Sequence, residues 1–364
     1  MTDDTIDGET LDVEEVPEIH QPAGAVLSVR DLKVEFTTDD GIVKAVDGVS
    51  YDVYENEVLG IVGESGSGKT VSSLAVLGLL PKTAKVTGSI VYRGRSLLGL
   101  SEREMRQFRG NKVAMVFQDA LAALNPVFTV GMQIAEAIEV HRDLSKKEVE
   151  AEVFDLLSIV GIPNPRDRAD QYPHEFSGGM RQRAMIAMSL ANRPDVLIAD
   201  EPTTALDVTI QAQVLEVFER IQEQTNSAII LITHDLGVVA GMADRVLVMY
   251  AGRQAELGTV DELFYEPRHP YTLGLLASLP RVDRGARGDR LYRIKGQPPS
   301  LIRVPPGCPF HPRCPIAKLP DPCATVRPDL FSVSGGTDHR SACHFHQELD
   351  GVTADELKAR VSNQ

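Results

Sequence analysis

No apolar stretch in this 364-residue chain approaches the ~18–20 residues needed to span a bilayer. The N-terminus has no basic segment followed by an apolar one, so a secretory signal is not expected. Basic residues are in deficit, with 37 against 52 acidic ones and a formal net charge of −15. That balance argues against a nucleic-acid binder working through a broad basic surface. Internal repeats and heptad runs are missing too, which sets aside solenoids and long coiled coils. Cysteine is absent until Cys308, and all four cysteines fall between Cys308 and Cys343. What remains is 43% hydrophobic and 24% charged, the composition of an ordinary globular protein. Eight acids (Asp3, Asp4, Asp7, Glu9, Asp12, Glu14, Glu15 and Glu18) precede the first basic residue, Arg30. Residues 1–24 are therefore expected to form a disordered acidic tail.

The most informative segment is Gly63-Glu64-Ser65-Gly66-Ser67-Gly68-Lys69-Thr70, directly after the apolar run 58–62. This is the G-x-x-x-x-G-K-[ST] phosphate loop in its required setting, a buried strand before it and a helix, Val71–Leu80, behind. Its glycines let successive N–H groups turn inward on an anion. Lys69 is placed to reach the β- and γ-phosphates and Thr70 to ligate Mg²⁺, with the helix adding its positive dipole end. The chain is expected to bind a nucleoside triphosphate.

From Val26 to about Leu263 short β-branched runs alternate with helical stretches, as in a mainly parallel sheet covered by helices. Expected strands are 27–36, 58–62, 112–117, 196–199, 229–233 and 245–250. The interval 129–160 breaks the rhythm. It is largely helical, with Val149, Val153, Leu156, Leu157 and Val160 on one apolar face. Beyond Glu266 the character changes again. Ten prolines between Pro298 and Pro328 exclude a mainly helical or central-strand segment.

The run Val196-Leu197-Ile198-Ala199 ends in Asp200-Glu201. A buried strand delivering two acids at its carboxyl end is where an open α/β sheet places its chemistry. Asp200 is read as part of the Mg²⁺ shell and Glu201 as the group that polarises the attacking water. Ser177-Gly178-Gly179 opens a further helix, an arrangement able to accept a second phosphate.

Phosphate loop, Ser-Gly-Gly and Asp-Glu in this order resemble the ATP-binding cassette (ABC) ATPases. The resemblance implies an α/β, RecA-like core over residues 25–266 with a helical subdomain at about 120–182. A small cysteine-containing region, 267–350, and a C-terminal tail, 351–364, would follow. It further implies that Gln118 is the Q-loop glutamine touching Mg²⁺ and water. Ala205, Leu206 and Asp207 become the D-loop, His234 the switch histidine, and Phe36 the ring stacked on adenine. Met180 stands where many cassettes have glutamine. In this family the Ser-Gly-Gly of one cassette completes the phosphate loop of another. With one copy of each motif, the chain needs a second cassette, by family analogy a paralogue.

The segments Asn125–Gly131, Asp207–Gln213, His269-Pro270-Tyr271-Thr272 and Gly307–Pro315 are similar to those of dipeptide and oligopeptide importer ATPases. The likeness runs from about Val26 to Phe345. Ala120 replaces the proline that relatives tend to have after Gln118-Asp119. The implied protein is an ATPase at the cytoplasmic face of the membrane, with two permease subunits and, indirectly, an extracytoplasmic peptide-binding protein. Alternatives are a nickel or other small-solute importer ATPase, and a soluble mechanochemical ABC ATPase without a membrane partner. Cys308, Cys314, Cys323 and Cys343 follow a C-x5-C-x8-C-x19-C spacing without the C-x2-C pair of common zinc sites. Four thiolates suit a [4Fe–4S] cluster, which some of these importer ATPases carry. Zinc, with His311, His344 and His346 nearby, and unliganded thiols are the alternatives. Loss of the cysteines is expected to spare nucleotide binding by the core.

Overall fold

The computed structural model describes residues 21–204, 206–279, 292–333, 338–354 and 356. Most of the acidic tail and of the last residues therefore lie outside the described part.

Four strands, β1 (Ala25–Thr38), β2 (Gly41–Tyr54), β4 (Ala84–Tyr92) and β5 (Arg95–Ser96), pair antiparallel in the order β2-β1-β4-β5. The larger sheet is built on β3 (Val58–Val62), β6 (Val113–Val116), β7 (Val196–Asp200), β8 (Ala228–Thr233) and β9 (Arg245–Tyr250). These five are parallel, in the order β9-β3-β8-β7-β6. β10 (Arg253–Thr259) then joins antiparallel, followed by two short C-terminal strands, β12 (Arg340–Ser341) and β11 (Phe331–Ser332). All six strands read from the sequence are present, with ends shifted by at most two residues.

The parallel strands are apolar runs because both their faces are covered. Val58 and Val62 point into one layer of core, while Leu59 and Ile61 point into the other. Ile229 and Leu231 against Ile230 and Ile232 repeat that division on β8. The antiparallel sheet and helix α1 (Lys69–Val76) pack on the second layer. Each buried Leu, Ile or Val side chain contributes about 1.5–3 kcal/mol.

Between β6 and β7 lies the helical insert, and its helices start where their caps are written. α2 (Glu102–Phe108) precedes it, and α3 (Ala120–Ala123) opens it. Thr129 caps α4 (Val130–Glu139), and Ser145 with Glu148 forms a capping box on α5 (Lys146–Ile159). The insert closes with α6 (Pro165–Ala169) and α7 (Gly178–Ser189), the helix that rests on the sheet beside α8 (Val208–Thr225). After β8 come α9 (Leu236–Met242), α10 (Val260–Tyr265) and α11 (Pro270–Ala277).

The segment after Glu266 leans on the α/β core. β12 pairs with β10, and Tyr271 of α11 and Phe310 belong to the same apolar cluster as Val62 and Leu231. A small further cluster gathers Leu273, Cys343, Leu349 and Val352.

Candidate nucleotide site

The phosphate loop leaves β3 and turns under β2 before α1 begins. Gly68 has φ 100°, and a Cβ there would meet the carbonyl oxygen of Ala45 at 2.3 Å, so no other residue fits. Lys69 is 5% exposed. Its Nζ donates to the carbonyls of Gly63 (2.8 Å) and Glu64 (3.1 Å), holding the ammonium inside its own loop. Burial pushes its pKa down, and the charges of Glu201, Asp200 and Glu64 push it back up. Ser67 Oγ is buried with no hydrogen-bond partner. A phosphate oxygen would satisfy both groups at a helix N-terminus that already favours negative charge.

Thr70 and Asp200, distant in sequence, meet at the mouth of this loop. The threonine hydroxyl donates to Asp200 Oδ1 at 3.0 Å. Burial raises the pKa of Asp200, opposed by this bond. A hydroxyl and a carboxylate so joined fit a hard divalent cation with oxygen ligands.

Glu201, one residue on, adopts φ 46°, the left-handed region that costs a residue with a side chain about 1–3 kcal/mol. Its amide donates to the carbonyl of Ile232 (2.9 Å), tying the strained turn to β8. Three groups from different elements then converge on Glu201 Oε2. Thr204 Oγ1 donates at 2.9 Å, Gln118 Nε2 lies at 3.4 Å, and His234 Nδ1 at 3.5 Å. Gln118 follows β6, Glu201 follows β7 and His234 follows β8, so the parallel sheet delivers all three at its carboxyl edge. Thr204 was not anticipated, because a threonine three residues past an acid carries no motif.

The Ser-Gly-Gly group is not among the residues that meet at Glu201. Ser177 caps α7, accepting from the Met180 amide at 3.3 Å, and is exposed. The two glycines differ in their surroundings. A Cβ on Gly179 would strike Ile210 Cγ2 at 2.6 Å, which explains that glycine by the packing of α7 on α8. A Cβ on Gly178 would meet nothing within 4 Å. Asp207 caps α8 through the Ile210 amide (3.0 Å), and Leu206 packs on the core, while Ala205 lies outside the described residues. Phe36, on β1, is half-buried against the second core layer.

Lys69→Ala removes the one ammonium in the loop. ATP affinity of the purified chain is expected to fall roughly tenfold or more, the loss typical of a charge-assisted bond. Titration with a fluorescent nucleotide measures it, and unchanged affinity would move the phosphate site elsewhere.

Residues 46–204 match the ABC transporter family model, and 255–320 match the oligopeptide/dipeptide transporter C-terminal region. The chain is 54% identical over 325 residues to the dipeptide transport ATP-binding protein DppD of Bacillus subtilis, covering 88% of this chain and 96% of that one. The chain belongs to the dipeptide/oligopeptide family of ABC transporter ATP-binding proteins. The oligopeptide transport ATP-binding protein OppD of Escherichia coli is 50% identical over 302 residues, 83% of this chain and 89% of that one. OppD of Mycobacterium tuberculosis is 52% identical over 333 residues, and here this ABC protein spans 54% of its relative's length. Among solved structures, cbiO1 from Clostridium perfringens, part of the ABC transporter complex cbiONQ, aligns with TM-score 0.57 at 28% identity. That alignment covers 67% of this chain and 92% of that one. A dimeric ATP-binding cassette bound to ADP and Pi shares the fold, with TM-score 0.58 at 23% identity over 64% of this chain and 98% of the other. Among the described residues of this ABC protein, no helix is long and apolar enough to cross a membrane.

Proposed function

We propose that this ABC ATPase powers import of dipeptides or oligopeptides from the cytoplasmic face of a cell membrane. The observation that carries the reading is the convergence of Gln118, Thr204 and His234 on Glu201, beside the Thr70–Asp200 pair and Lys69. The family match supplies the transport role. Lys69 and the loop amides hold the triphosphate. Thr70 and Asp200, with Gln118, would hold Mg²⁺, which would supply positive charge against the phosphates. Glu201 orients and polarises the attacking water, with Thr204 fixing the carboxylate and His234 facing the γ-phosphate.

One cassette is half of the working unit in this reading. Gly178 is bare toward solvent, which suits a close approach of α7 to the phosphate loop of a second cassette, a paralogue by family analogy. ATP binding closes the pair and pushes two permease subunits toward the outward-open state; hydrolysis resets them. The helical insert receives the permeases. Supporting this are the exposed Val127, Phe128 and Met132 at its start, and a groove of about 190 Å³ lined by Leu77, Leu79, Phe117 and Met188 beside Gln118. A peptide-binding protein outside the membrane would deliver cargo. Purification of the tagged chain from its own membranes tests the assembly. Two polytopic membrane proteins and a second cassette should accompany it, whereas a chain that remains a partnerless soluble ATPase would favour the mechanochemical alternative.

The cysteines fit a further group. Cys308, Cys314, Cys323 and Cys343 line one small cavity together with His311 and His344. Burial raises the thiol pKa of Cys308 and Cys314, and pushes that of Cys343 up to about 12, so a cation must be supplied to hold thiolates there. One ring nitrogen of His311 contacts the Cys308 carbonyl, and one of His344 contacts that of Val326. Among the described residues no group of three donors is arranged for a single metal ion. Four cysteines lining one cavity are the donor number of a [4Fe–4S] cluster. A [4Fe–4S] cluster fixing this proline-rich segment is our reading of the site. Anaerobically purified protein should be brown, with absorption near ~400 nm and acid-labile sulfide. Stoichiometric zinc in a colourless protein would overturn it.

A further inference from the structure

The phosphate loop carries one carboxylate, Glu64, and that carboxylate has a partner from the far end of the chain. Arg313 donates to Glu64 Oε2 at 2.5 Å and Oε1 at 2.9 Å, a two-pronged pair spanning 249 residues of sequence. The Arg313 side chain is 5% exposed, and its guanidinium lies 5.8 Å from the ring centre of Tyr250 and donates to the Lys295 carbonyl at 3.1 Å. A second contact comes from the same region. The buried Tyr271 hydroxyl accepts the backbone N–H of Glu64 at 2.8 Å, and its ring packs on Tyr250 and Phe310. Both the side chain and the amide of the loop's second residue are thus held by the C-terminal segment.

We propose that Arg313 is a positioning residue for ATP, neutralising Glu64 and fixing the start of the phosphate loop. The proposal rests on reading this loop as the ATP site. The physical reasoning is electrostatic and geometric. An unpaired carboxylate in the loop would oppose the triphosphate and compete for Lys69, which already donates to the Glu64 carbonyl. With Arg313 in place the carboxylate's charge is balanced, and the fork fixes its direction as a lysine could not. Arg313 sits between Cys308 and Cys314, and its own amide donates to the Phe310 carbonyl (2.9 Å). The order of the cysteine segment therefore reaches the nucleotide loop. On this proposal, losing the cysteines would also weaken nucleotide binding, contrary to the expectation from sequence.

The test measures MgATP affinity and steady-state hydrolysis of full-length variants, with near-UV circular dichroism to confirm folding. Arg313→Ala should raise the Kd for MgATP roughly tenfold, as expected for loss of a charge-assisted pair, and lower kcat at saturation by less than about threefold. Adding Glu64→Gln to Arg313→Ala should return most of the lost affinity, because the unpaired charge is gone. Should Arg313→Ala fold poorly, Arg313→Lys keeps the stem against Tyr250 and should raise Kd about threefold, an increase that Glu64→Gln again reverses. A Kd within twofold of the parent in the folded single variants, or a double variant no better than the single, overturns the proposal. Lys69→Ala runs alongside: if it binds ATP like the parent, the ATP-site reading fails and the inference with it.

Discussion

Glu201→Gln should leave ATP binding intact and lower hydrolysis by about 10²–10⁴-fold, the usual worth of a positioned general base. The amide keeps the shape of the side chain, and its one carbonyl oxygen can still accept the Thr204 hydroxyl. It cannot draw a proton from water. Nor should the strained backbone relax, since the φ of 46° is fixed by the bond from the Glu201 amide to Ile232. Parallel measurement of nucleotide affinity and ATPase rate separates this from Lys69→Ala, which acts on affinity. Hydrolysis by Glu201→Gln at near the parental rate would remove Glu201 from the chemistry.

Ser177→Arg should reduce turnover of the assembled ATPase about a hundredfold or more, because displacing a γ-phosphate by even a short distance costs that much. Ser177 is exposed at the start of α7 and Gly178 beside it is open, so the arginine is accommodated without disturbing this chain's core. Loss of the helix cap costs about 1 kcal/mol and does not unfold the protein. The chain's own phosphate loop is untouched, so ATP affinity of the isolated subunit should change by less than about twofold. A large loss of affinity in the isolated subunit would place Ser177 in its own nucleotide site and dismantle the two-cassette arrangement.

How much of this was legible in the sequence depended on the reach of each interaction. The parallel strands announced themselves because both faces are buried, which leaves unbroken apolar runs such as 228–232. In the antiparallel sheet only β1 reads as a strand, at 27–36. β2 carries Lys44, Asp47 and Asp52 among its apolar residues, and β4 is interrupted by Gly88, so neither produces a run. At the site, the loop and the Asp200-Glu201 pair lie at the ends of buried strands and were readable from local pattern. Gln118 and His234 gained roles only through resemblance, and the structure brings both to Glu201. Arg313 and Tyr271 stood inside segments noticed only as family words. Their partner Glu64 lies more than two hundred residues away, and contacts at that separation leave no periodicity to read.

Peptide uptake by cells whose own copy of this gene encodes Glu201→Gln tests the central claim most directly. With protein level and ATP binding matched to the parent, import of a labelled dipeptide or oligopeptide should be lost while uptake of nickel is unchanged. Undiminished peptide import, or loss of nickel uptake in its place, would contradict the assignment of this ATPase to peptide transport.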